Sequence, residues 1–100
     1  MKEERMENKM IKVLLLSTNE LIISEIEEVT AELGEPNCKL IKPYLISNQL
    51  IGGQTIVGDE LTPWMKECTD QDTMMIYSDK ILTLVDPNKK YLNLYQEILK

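Results

Sequence analysis

The side chains in this 100-residue chain whose types could do chemistry are few: two cysteines, Cys38 and Cys68, the aspartates Asp70 and Asp72, and the glutamates Glu28, Glu32 and Glu35. The chain holds no histidine. That excludes Ser–His–Asp and Cys–His catalysis and any histidine metal site. The cysteines lie far apart in sequence, without the short-spaced pairing that a zinc site needs. They read as reduced, small core hydrophobes, with a single disulfide as the open alternative. Asp70 and Asp72 could face a cation, but a calcium loop needs further ligands and a glycine at fixed offsets, which are absent. A solvated acidic loop is the plainer reading. The chain is therefore expected to be no enzyme and to carry no cofactor or metal.

Charge points the same way. Seventeen acidic side chains stand against eleven basic ones, a net charge of −6. Residues 1–10 balance, with three of each sign, and residues 87–100 carry three lysines and one glutamate. Residues 11–86 hold five basic and thirteen acidic groups, so the acidity belongs to the body of the domain. Nucleic-acid affinity leans on neutralising phosphates, and this surface works against it. The apolar run after the charged start is interrupted by Lys12 and is too short for a signal peptide or a membrane span. The expectation is a cytoplasmic protein with no membrane partner.

The elements that would position these groups are mostly strands. Residues 1–10 read as a charged tail or a short helix presenting Met6 and Met10. From Ile11 an apolar β-prone run leads through a turn at Asn19, whose tolerance of positive φ suits a tight hairpin. A second strand follows, with Ile22, Ser24 and Ile26 on one face and Glu25 and Glu27 on the other. Residues 38–46 resume the alternation. Pro43 cannot donate to a ladder, so that strand is bulged there or lies at an edge.

Residues 48–72 read as a long excursion with turns at Gly52–Gly53 and Gly58–Asp59, carrying the single tryptophan, Trp64. That ring either pins the excursion to the body or faces another subunit. Two further β-prone runs, residues 73–77 and 80–85, break at Ser78–Asp79. Asp86 and Pro87 then open a helix over residues 87–100, with Tyr91, Leu94, Tyr95 and Ile98 on one apolar face. The fold class is mainly β: a small, five-stranded, strongly bent barrel over residues 11–86 with a C-terminal helix.

The order of elements and two local motifs resemble the Sm-like (Lsm) family, over roughly Ile11 to Val85. The first motif is matched in spacing by Asn19, Ile22, Ser24 and Ile26, and closes on Asn37 just before the third strand. Small polar residues replace its two glycines. The second is matched by Ile76, Tyr77, Ser78, Asp79, Lys80 and Ile81, with Tyr77 where the family has arginine and Ser78 where it has glycine. The clear helix lies after the last strand, whereas the family usually places one before the first. Within the family, the chain looks most like divergent phage and marine environmental members.

The resemblance implies an SH3-like barrel that assembles into a homo-oligomeric ring, with single-stranded RNA threading near the pore. Carried over by position, Asn37 would hydrogen-bond a base, Tyr77 would stack on one in place of arginine, and Lys80 would meet phosphate. The plainer readings are a turn-capping Asn37, a cross-strand Tyr77 and a lone Lys80 charge. The acidic body favours a second role on the same scaffold, a protein-interaction module that binds no RNA.

Overall fold

A computed structural model describes residues 10–51 and 54–100. The expected tail or helix ahead of residue 10 and the Gly52–Gly53 turn lie outside the described residues. The apolar run at the start forms β1 (Ile11–Leu16), and β2 (Leu21–Glu28) returns antiparallel to it, Leu14 facing Ile22 and Val13 facing Ile23. Asn19 takes φ 72° in the connecting turn, as its side-chain chemistry allows. β3 (Cys38–Ile51) pairs with β2.

The far side of β3 is shared by two strands. β4 (Gln54–Pro63) pairs with its second half, from Tyr44 onward, and β5 (Thr73–Ile76) with Cys38–Ile41. β4 and β5 therefore lie end to end along one edge, separated by residues 64–72. A single 3₁₀ turn (Ser78–Lys80) leads into β6 (Ile81–Val85), which pairs with β1. Six antiparallel strands thus fill five positions across the sheet, in the order β4 and β5, β3, β2, β1, β6. The sheet is open: among the described residues no ladder joins β6 to β4 or β5.

Much of the span expected as an excursion is regular strand, residues 48–51 continuing β3 and 54–63 forming β4. The irregular part narrows to residues 64–72.

Both faces of the sheet are covered. On one face Leu14, Leu16, Ile22, Cys38 and Leu40 form a buried cluster, against which Ile26, Trp64, Ile76 and Ile81 pack. On the other, α1 (Lys89–Leu99) lays Tyr95 over Ile23 and Ile46, flanked by Tyr91, Leu99, Val13 and Tyr44. Coverage on two faces explains why β1 is nearly all apolar, since successive side chains enter different cores. Of the expected helix stripe, Tyr95 is fully buried while Ile98 is 40% exposed, and Leu99 takes the inner place. The helix begins two residues later than Asp86–Pro87 suggested. Asn88 is its N-cap, its side-chain oxygen accepting from the Tyr91 amide at 3.0 Å.

Candidate functional site

Two concave places lie on this frame. The first is formed by the loop of residues 29–37 and the turn after β5, the two segments that carry Asn37 and Tyr77. The loop begins at a bond from the Val29 amide to the Asn37 carbonyl, 3.2 Å, and turns at Gly34, where φ is 90°. A side chain there would strain the backbone although nothing lies within 4 Å to obstruct it.

The loop is tied to the turn by two hydrogen bonds. The Ser78 amide donates to Asn37 Oδ1 at 3.0 Å, and the Tyr77 hydroxyl donates to the Gly34 carbonyl at 2.9 Å. Between them is a cleft of about 290 Å³, rimmed by Glu32, Glu35 and Asp79. Asn37 and Tyr77 are thus brought together. Lys80 is not: it is exposed in the 3₁₀ turn outside the cleft lining, its carbonyl accepting from the Ser17 amide at 2.8 Å. Asn37 Oδ1 is engaged by backbone, and the cleft's charged rim is acidic.

The second place is a groove of about 310 Å³ beneath residues 64–72. Its origin is Pro43. Across β2 and β3, Ile23 faces Tyr44 but Glu25 faces Ile41, so two residues of β3, Lys42 and Pro43, oppose Ser24 alone. This is a β-bulge, the bulged alternative anticipated at Pro43. Lys42 takes φ 53° there.

The loop is clipped to the bulge at both ends: the Trp64 amide donates to the Pro43 carbonyl at 3.0 Å, and the Lys42 amide to the Asp72 carbonyl at 2.6 Å. Lys42 Nζ also pairs with Asp72 at 3.0 Å. The hydrogen bond and the charge of Lys42 hold the Asp72 carboxyl below its usual range, and Asp72 raises Lys42 in return. Asp72, one of the two aspartates singled out by spacing, is therefore an ion-pair partner. Asp70 lines the groove. Trp64 packs on the core cluster and pins the loop.

Sequence reading missed this groove because it depends on β4 and β5 both pairing with β3. Pro43 inside a strand and the Pro63–Trp64 step were the local signals for it.

Cys38 is buried and Cys68 exposed, and both are free thiols. Burial, with Glu28 nearby, pushes the Cys38 thiol up, away from reactivity. Among the described residues no group of three or more Cys, Asp or Glu is placed to hold a metal ion, and no helix is long and apolar enough to cross a membrane.

A family model described as a family of unknown function (DUF6561) matches residues 9–100. No curated protein matches the chain. The chain belongs to that family, whose description assigns no activity.

Proposed function

We propose that this family member is a non-enzymatic Sm-like subunit whose curled sheet acts as a small barrel and whose two open edges pair between copies to close a homo-oligomeric ring. The observation that carries this reading is the pair of unfilled edges with apolar side chains on them. Leu82 and Leu84 of β6 are 60% and 46% exposed, and Met75 of β5 is 43% exposed.

Unpaired strand edges attract further strands, and two different edges on one chain associate head to tail, which closes as a ring when the rotation allows. The strand order and the 3₁₀ turn between β5 and β6 support the Sm-like assignment. So does the packing of Ile76 and Ile81, from the two edge strands, on one core. Native mass spectrometry at micromolar concentration tests it: a closed oligomer is expected, and a strict monomer overturns the ring.

The ring works as a cytoplasmic, cofactor-free interaction scaffold that repeats an acidic cleft once per subunit. Glu32, Glu35 and Asp79 at that cleft favour a basic protein segment over a polyanion. One observation favours a second reading, single-stranded RNA: Asn37 and Tyr77 stand at one cleft, and Tyr77 is 42% exposed. Fluorescence anisotropy with oligo-U and oligo-A across a salt series separates the two. Binding that weakens steeply with salt and falls further in Tyr77→Ala supports RNA, and no binding at low salt leaves the scaffold.

A further inference from the structure

We propose that the groove beneath residues 64–72 is a binding site for a neutral polyhydroxylated ring, a saccharide. The inference is independent of the ring assembly, and the groove shares no lining residue with the Asn37–Tyr77 cleft.

The groove is a built feature. Both ends of its loop are hydrogen-bonded to the β3 bulge, and two non-glycine residues beside it hold left-handed backbone, Lys42 at φ 53° and Met65 at φ 63°. Such conformations persist only where the surroundings over-determine them, and they gather at ligand clamps. At about 310 Å³ the groove falls within the range of small-molecule sites, roughly 300–1,000 Å³.

Its chemistry selects the ligand class. Lys42 and Lys66 are balanced by Asp70 and Asp72, so the lining has no net charge to concentrate an ion of either sign. An anion meets two carboxylates and a cation meets two ammonium groups. A wholly apolar ligand would cover the polar rim and leave its groups without partners.

The ligand that answers all of these is neutral, with hydroxyls that both donate and accept around an apolar face. Each hydroxyl then finds ammonium donors and carboxylate acceptors in the same rim. The apolar C–H face of a pyranose rests on the Trp64 and Met74 side of the groove, an aromatic and aliphatic surface.

Trp64 is the only tryptophan, so its emission reports on this groove alone. The full chain is titrated to about 50 mM with glucose, galactose, N-acetylglucosamine and maltose, alongside glycine, lysine and inorganic phosphate. A saturable emission change with a Kd on the order of 1 mM for at least one neutral sugar is expected. Amide shifts in an NMR titration should centre on residues 42–44 and 63–74. Asp70→Asn should weaken binding at least fivefold with an unchanged melting temperature, and Asp79→Asn, outside the groove, should leave it unaltered. The proposal is overturned by no saturable response to any of the sugars, by a response to the charged probes alone, or by an Asp70→Asn chain that binds as the parent does.

Discussion

The hydroxyl of Tyr95, on the C-terminal helix, accepts the amide proton of Glu25, on the second strand, at 3.1 Å across seventy residues of sequence. The same oxygen stands 3.1 Å from the Ile41 carbonyl and 2.9 Å from the Lys42 carbonyl, so its one proton has two acceptors within reach. The bulge at Lys42–Pro43 interrupts the β2–β3 ladder here, and a buried backbone group left without a partner is costly. Tyr95 closes that gap from the helix side, while Ser24 Oγ donates toward the Glu25 and Ile41 carbonyls from the strand itself. The helix is thereby tied to the bulge that also anchors the groove.

Tyr95→Phe keeps the ring, including its edge-on contact with Tyr44 at 6.0 Å between centroids, and removes only the hydroxyl. The Glu25 amide then loses its partner in a dry setting, so the variant should lose about 1–3 kcal/mol. Urea unfolding followed by circular dichroism measures this. Tyr91→Phe, on the same helix and only half-buried, should cost less.

Alkaline unfolding carries a second signature of that hydroxyl. Burial pushes the Tyr95 phenol up to about 12, against an ordinary value of 10. The folded state holds the proton more tightly, so this contribution is full below pH 10 and is lost as pH rises toward 12. The stability difference between the parent and Tyr95→Phe should therefore shrink steadily from pH 10 to pH 12, read from urea midpoints at fixed ionic strength. A difference that stays constant across that window would show that the phenol does not titrate as described.

Local pattern made much of this frame legible. The Asn19 turn, the alternation in β2, the disturbance at Pro43 and the break at Ser78–Asp79 each depend on a few neighbouring residues, and each is where local chemistry put it. The elements that depended on distant partners were not legible. β4 looked like loop because Gly58–Asp59 and Pro63 interrupt it, yet pairing with a long β3 carries the strand through Gly58 and Asp59 and up to Pro63. Ile98 has the right helical spacing for the core, but the helix is rotated so that Leu99 packs instead, a choice set by the sheet surface beneath it. Asn37 and Tyr77 were correctly paired in space, whereas Lys80 follows Tyr77 closely in sequence and still turns away from their cleft.

The start of the helix gives a third test. Asp86 and Asn88 are both good caps by type, and only Asn88 satisfies a helix amide. Asn88→Ala should cost about 1 kcal/mol in urea unfolding. Asp86→Ala removes an exposed carboxylate paired with Lys12 and should cost less than Asn88→Ala.

The ring itself predicts an asymmetric response at β6. Leu82 is the most exposed side chain of that strand and takes no part in the cluster around Leu14. A lysine there leaves the monomer's packing intact, so its stability should change by no more than about 0.5 kcal/mol. On an edge used for pairing, however, a charged side chain opposes the approach of a second strand. Leu82→Lys should therefore shift native mass spectra from the closed oligomer toward monomer at the same protein concentration, with the far-ultraviolet circular dichroism unchanged. Lys89→Glu, at the exposed start of the helix, should leave the oligomer as it was. An oligomer that survives Leu82→Lys at full abundance would mean that the copies meet somewhere other than the β6 edge.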